Sequence, residues 1–340
     1  MNKYMMVATL ILSPTLCFSQ PEIEDLLQHQ ESIVRVTVEL ENGSIGTGTG
    51  VVIDTQNVAT NCHVLANAKG ANIAKYGVGY QPISMKADWK HDLCLLKFDP
   101  LPFKPVTMRD SSTLKYEEEI FSLSYPNGNI SPQPSYGNIK ATYPYDGSLV
   151  IRSNAAFSLG SSGGAMFDQQ FNLIGITTFK SPGPQGFFYS LPVEWIKRLY
   201  DSPESTSLAT NEIPFWALPS DQRPYFMQVV IPFQNHEWTE LKRLSNAWVK
   251  KEPATADGWY FLGVSEFESN QDAEAKEHLT KATSMNPRHL EALIVLSSIA
   301  LKEGNLAELE RIRDVVRPLD STEADDLTDK ITKLMASKQS

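Results

Sequence analysis

At 340 residues, with 41% hydrophobic and 21% charged side chains, the chain has room for two or three domains and the composition of a folded protein rather than a disordered one. Its net charge of −10, with no Lys/Arg-rich run, excludes the broad basic face that a nucleic-acid partner requires.

Residues 1–19 place Lys3 ahead of the apolar run from Tyr4 to Leu12, followed by Pro14 and the approach Cys17-Phe18-Ser19. That run is too short for a membrane span and reads as a signal peptide cleaved after Ser19, which predicts a periplasmic or secreted protein with no membrane span in the mature chain. Leu16 stands where a lipoprotein signal has a small residue, so anchoring through Cys17 is not expected. Of the three cysteines, Cys62 and Cys94 then remain, in an oxidising compartment.

After a short polar segment at 22–31, one or two helical turns, the pattern turns to period two. Ile33, Val34, Val36, Val38 and Leu40 interleave with Arg35, Thr37 and Glu39, which predicts a strand, and Asn42-Gly43 predicts a hairpin. A strand at Val51 to Ile53 and one ending at His63 follow, then short candidates over 71–76, 82–87 and 93–98 and a Pro-rich break at 100–105. A second set begins near Glu119 and continues over 136–142, 149–153, 165–167, 173–179 and 187–191, with a closing helix at 193–200. Two sets of six short strands with Gly/Pro turns predict two antiparallel β-barrels over residues 20–200.

Residues 201–235 carry Pro203, Pro214, Pro219, Pro224 and Pro232 and read as a linker or surface strap rather than a core element. From His236 to the end at 340 the period is 3.6. Trp259, Leu262 and Gly263, then Ala275, Leu279, Ala282 and Pro287, resemble a tetratricopeptide repeat, and Pro253/Pro287 and Leu262/Leu296 are each 34 residues apart. The resemblance implies a second helix of a partial repeat at 237–251, a full repeat at 257–286, a degenerate one at 288–317 and a capping helix at 321–337. Glu266 and Leu309 depart from it, standing where an aromatic and an alanine are usual. The expected fold class is therefore multidomain: an all-β double antiparallel barrel followed by an all-α helical-repeat domain.

The chemistry centres on Asn154 to Phe167, which contains Gly160-Ser161-Ser162-Gly163-Gly164. A serine hydroxyl needs a neighbouring base and waiting backbone donors to act as a nucleophile, and glycines around Ser162 let the N–H groups of Gly160 and Ser162 converge on one spot. Among six histidines, His63 is the one at the end of a strand in the first β set, within TNCHV. His91 lies in the polar stretch DWKHD and is expected to face solvent. Asp92 opens the core-like run DLCLLKF and is the preferred acid, with Asp88 and Asp99 as alternatives.

The order His63, Asp92, Ser162, in TNCHV, HDLCLLK and GSSGGAMF, resembles a trypsin/chymotrypsin-fold serine protease, and within that clan the bacterial Do-type (HtrA-like) periplasmic proteases. Ala155-Ala156 before the serine turn and Gly175-Ile176 after it extend the resemblance, which covers about residues 30–200. It implies a chymotrypsin-like double barrel in which His63 is the base, Asp92 its partner, Ser162 the nucleophile and the Gly160 and Ser162 amides the oxyanion hole. It also implies a protein or peptide substrate, an acyl-enzyme and no cofactor or metal. Ser161 replaces the Asp that receives a new N-terminal amine in digestive relatives, so that activation switch is expected to be absent. Asn154 stands where Do-type enzymes have Asp.

A specificity pocket is expected at Ala156, Phe157, Thr178, Phe179 and Lys180, near Phe188 and Tyr189. No base position is acidic, which favours a small or medium apolar residue over Lys or Arg before the cut. In a barrel that joins His63 to Asp92, Cys62 and Cys94 become neighbours, and a disulfide or a pair of buried thiols follows. The helical repeats occupy the place of a PDZ domain. Docking of a protein partner or substrate is expected of them, and so short an array must lean on the protease domain or on a second copy. Two alternatives to an exported endopeptidase are a non-catalytic or partner-activated binding platform on a protease fold, and an esterase.

Overall fold

The computed structural model describes residues 23–183 and 186–338; the expected signal peptide and Cys17 lie outside them. Helix α1 (Ile23–His29) leads into a first sheet of β1 (Ile33–Glu39), β2 (Ile45–Val52), β3 (Asn57–Thr60), β4 (Gly70–Lys75), β5 (Val78–Tyr80), β6 (Ser84–Asp88) and β7 (Leu93–Lys97), with α2 (Cys62–Leu65) between β3 and β4. The strand order is β5-β4-β1-β2-β3-β7-β6, and among the described residues no pairing joins β5 to β6, so this sheet is a half-barrel. Both of its faces are apolar. Val34, Val36, Val38, Val58, Cys94 and Leu96 fill its own core. Ile33, Val51, Ala59, Leu93 and Leu95 instead pack toward the second sheet. That is why Leu93 to Leu96 reads as an unbroken apolar run rather than an alternating one.

The second sheet comprises β8 (Thr107–Met108), β9 (Glu119–Ser124), β10 (Gln133–Tyr145), β11 (Ser148–Ser153), β12 (Gly164–Asp168), β13 (Asn172–Lys180) and β14 (Phe188–Pro192). Its order is β12-β9-β10-β11-β14-β13-β8, and β12 also pairs with β13, which closes the barrel. Two strands escape sequence patterning because they are too short to show a period: β5, with three residues, and β8, with two, held by parallel pairing to β13.

Helix α3 (Val193–Leu199) closes the barrels. The segment after it departs from the expected surface strap. It forms a 3-10 turn at Phe215–Ala217, then α4 (Tyr225–Gln228) and α5 (Val230–Gln234), and it buries Phe215, Phe226, Val229 and Val230. Its prolines break regular structure, but the apolar side chains between them plug into the body of the protein.

Six helices follow: α6 (Trp238–Lys251), α7 (Ala256–Glu268), α8 (Asp272–Met285), α9 (Leu290–Lys302), α10 (Leu306–Val316) and α11 (Ser321–Ser337). Asp320 caps α11, accepting from the N–H groups of Thr322 and Glu323. This array is seated on the second barrel by a buried polar cluster. Asp257 of α7 is wholly buried and accepts hydrogen bonds from Tyr116 at 2.5 Å and Tyr143 at 3.1 Å. Arg152 of β11 lies 3.8 Å from Asp257 and donates to Glu291 of α9 at 3.1 Å. Burial, reinforced by the charge of Asp257, pushes the Tyr116 hydroxyl well above its ordinary pKa, so it stays a donor. Among the described residues no helix is long and apolar enough to cross a membrane.

Candidate active site

His63 and Asp92 come from the first sheet. Asn61 follows β3 in extended conformation, and α2 begins at Cys62, so His63 sits in the first turn of a four-residue helix rather than at the end of a strand. Asp92 precedes β7 with φ at 60°, a left-handed conformation that Asp tolerates better than most residues. This turn aims the carboxylate back at α2. Asp92 Oδ1 accepts the backbone N–H of His63 at 2.7 Å, and Oδ2 lies 2.6 Å from His63 Nδ1. The carboxylate is 1% exposed and the imidazole 31%, so one end of the pair is sealed and the other faces the cleft. Cys62 and Cys94 flank the pair and are joined as a disulfide with a Cα–Cα distance of 5.0 Å.

Ser162 comes from the second sheet, in the loop ahead of β12. Gly160 and Gly163 on either side have φ of 88° and 86°. A Cβ at Gly160 would lie 2.5 Å from Tyr125 O, and one at Gly163 would lie 2.1 Å from Thr49 O, so both conformation and space demand glycine. The loop is latched to the first sheet. Thr49 N–H donates to Ser162 O at 2.8 Å, and Thr49 Oγ1 donates to Gly160 O at the same distance. Asn61 Nδ2 donates both to Asp92 O and to Thr178 Oγ1, each at 2.9 Å, which ties the two halves of the site together. Ser161, fully buried, accepts from Ser124 Oγ at 2.9 Å.

The N–H groups of Gly160 and Ser162 have no acceptor among the described residues, whereas those of Ser161, Gly163 and Gly164 are used internally. Two uncommitted donors beside a serine are what a developing oxyanion requires. The Ser162 hydroxyl donates to Thr178 O at 3.4 Å, and among the described residues no hydrogen bond joins it to His63. Long contacts of this kind are common in an unliganded site.

Of the expected pocket residues, Ala156 and Lys180 are exposed, Phe157 is half-buried and meets Phe188 edge-on at 5.1 Å, and Thr178 is occupied by Asn61. Phe179 is stacked between Tyr189, at 4.7 Å, and Trp216, at 5.4 Å. A cavity of about 300 Å³ lies beside this stack, lined by Phe179, Lys180, Tyr189, Trp216, Met227 and Ile231 among others. A larger one, about 640 Å³, lies against β1, β4 and β6 and includes none of His63, Asp92 or Ser162.

Two residues are not where their sequence context suggests. His91 is buried, with Nδ1 2.6 Å from Asp88 and its ring 4.2 Å from that of Trp195. The stretch DWKHD is polar, but Asp88 takes up Nδ1 and Asp146 lies 2.9 Å from Nε2, so the ring can pack against Trp195. Trp216 donates its indole N–H to Asp92 Oδ2 at 3.0 Å. Sequence reasoning missed it because it lies 124 residues away in a Pro-rich segment with no period; its one visible signal was the apolar group Phe215-Trp216-Ala217-Leu218 set between Pro214 and Pro219. Among the described residues no group of three or more His, Cys, Asp or Glu side chains could hold a metal ion.

Residues 48–176 match the family described as a trypsin-like peptidase domain. A probable periplasmic serine endoprotease, DegP-like, of Rickettsia conorii is 32% identical over 149 residues, covering 40% of this chain and 28% of that protein. The putative mitochondrial protease Do-like 3 of Arabidopsis thaliana is 24% identical over 205 residues, covering 55% and 35%. The chain thus spans only about a quarter to a third of these relatives' length. Among solved structures, the Rv3671c protease from M. tuberculosis superposes with a TM-score of 0.50 at 16% identity, over 61% of this chain and 99% of that one, a likeness of fold alone. Residues 48–176 thus match a trypsin-like peptidase domain, the two sheets have the double-barrel, chymotrypsin-like fold, and the relatives matched are Do/HtrA-type serine proteases.

Proposed function

We propose that the protein is an exported serine endopeptidase working through Ser162, His63 and Asp92. The observation that carries this is the sealed Asp92 carboxylate 2.6 Å from His63 Nδ1, across the cleft from a serine turn whose Gly160 and Ser162 amides have no acceptor among the described residues. His63 Nε2 takes the proton as Ser162 Oγ attacks a peptide carbonyl, and the Gly160 and Ser162 amides hold the oxyanion. Asp92 stabilises the imidazolium, which then protonates the departing amine and leaves an acyl-serine. Water, deprotonated by His63, releases the acid and restores the serine. The half-buried Phe157–Phe188 wall suits a small or medium apolar residue before the cut.

Export is supported by the apolar leader in the sequence and by periplasmic relatives such as that of Rickettsia conorii. The helices from α6 onward are the element to which we assign recruitment of a protein partner or substrate, in the manner of tetratricopeptide repeats. A second reading, a protease fold that a partner must activate, is favoured by one feature: Ser162 points its hydroxyl at Thr178 O rather than at His63.

The test is a fluorophosphonate probe on the mature protein, compared with Ser162→Ala and His63→Ala, with and without residues 236–340. Labelling of wild type alone supports Ser162 as a nucleophile activated by His63, as an endopeptidase requires, and turns the question to substrate. Labelling only after truncation supports restraint by the helices, and no labelling under any condition favours the binding-platform reading.

A further inference from the structure

We propose that Trp216, on the segment leading from the barrels to the helices, is a positioning residue for the His63–Asp92 pair. This rests on the reading of those two residues as partner and base. Among the described residues the Asp92 carboxylate has three donors: the His63 backbone N–H on Oδ1 at 2.7 Å, and His63 Nδ1 and Trp216 Nε1 on Oδ2 at 2.6 and 3.0 Å. Two of the three belong to His63, so they move with it. Trp216 is the donor that ties the carboxylate to something else. The carboxylate is 1% exposed, so bulk water does not reach it to replace a lost donor.

The indole is itself held on several sides. It stacks on Phe179 with an interplanar angle of 15° and meets the His63 ring edge-on at 5.5 Å. Its neighbour Phe215 is buried, 4.6 Å from the Tyr145 ring, and donates its backbone N–H to Lys90 O at 3.0 Å. Trp216 lies outside the segment that matches the peptidase family, which ends at residue 176. Trp216 also follows β14 and α3, so the order of the pair depends on the path of a segment outside the two barrels.

A purely space-filling role would leave the N–H idle, and Trp216→Phe separates the two because it keeps a stacking ring and removes only the donor. The comparison uses the full mature chain as wild type, Trp216→Phe and, as a control, Trp259→Phe, which loses an indole hydrogen bond to Pro253 O remote from the site. Two quantities are measured: the second-order rate of fluorophosphonate modification, and the low-field Nδ1 proton resonance of His63, assigned by histidine ¹⁵N labelling. Trp216→Phe is expected to slow modification roughly tenfold, the scale of one hydrogen bond to a charged group, and to move the resonance, while Trp259→Phe changes neither.

A Trp216→Phe protein that reacts at the wild-type rate with an unmoved resonance overturns the proposal. If wild type does not react with the probe, the endopeptidase reading falls, and the resonance still decides the role of Trp216. Should Trp216→Phe fail to fold, exchange of the Trp216 indole proton in wild type decides it: slow exchange supports the bond to Asp92, and free exchange overturns it.

Discussion

The protein has two polar seams, and they are built on opposite terms. Between the two sheets, His63 and Ser162 are partly exposed, and among the described residues the Ser162 hydroxyl has only a long contact to Thr178 O and the Gly160 and Ser162 amides have no acceptor. Between the second barrel and the helices, Asp257, Arg152, Tyr116 and Tyr143 are buried and engage one another. The first seam leaves donors unspent, where a substrate can take them. The second seam spends its charge on fixing one domain against another. A buried ion cluster gains little over apolar packing, but it is costly to break, so it specifies placement more than it adds stability.

The first way to break the contrast is Asp92→Asn, which keeps the shape of the first seam and removes its charge. It is expected to slow fluorophosphonate modification by about 10⁴-fold, with no large change in the thermal unfolding midpoint. The mirror experiment is Asp257→Ala in the second seam. Leaving Arg152 buried without that partner is expected to cost about 3–5 kcal/mol in urea unfolding, while the modification rate of the folded fraction stays near wild type. A large rate loss there would mean the two seams communicate.

Gly160→Ala sharpens the contrast from within the first seam. Its positive φ and the 2.5 Å approach to Tyr125 O force the loop to shift, which should displace one oxyanion donor. A fall of about 10²–10³-fold in modification rate is expected. The smallest effect is expected from Cys62→Ser with Cys94→Ser. Opening a link between residues 32 apart should cost about 2–4 kcal/mol of stability, with a lesser effect on rate, since Asn61 and Asp92 keep their own hydrogen bonds. Urea unfolding and probe kinetics on the same samples read both.

Much of the fold was legible in the chain because its cues are local. Alternating residues from Ile33 to Leu40 predicted β1, and the 34-residue spacing in the tail predicted paired helices, which appear as α7 with α8 and α9 with α10. Strands too short to show a period, β5 and β8, were not legible. At the candidate site, residue type and chain order pointed to His63, Asp92 and Ser162, because a nucleophile, a base and a partner acid need few other side chains. The environment of each was not legible. His91, in a stretch as polar as any on the surface, is buried by Asp88 and Trp195.

The sequence by itself determined the longer strands and helices and which residue types can do acyl transfer, since periodicity and turn chemistry act over a few residues; α2, β5, β8 and the short helices after Pro224 were left to packing. Only the tertiary structure decided who touches whom across long separations. It brought Trp216 to Asp92 from 124 residues away, Tyr116 to Asp257 from 141, and Asn61 to Thr178 from 117. Such pairs arise from how whole sheets and helices pack. No local pattern of side chains encodes them, because each partner satisfies its own segment's rules equally well without the other.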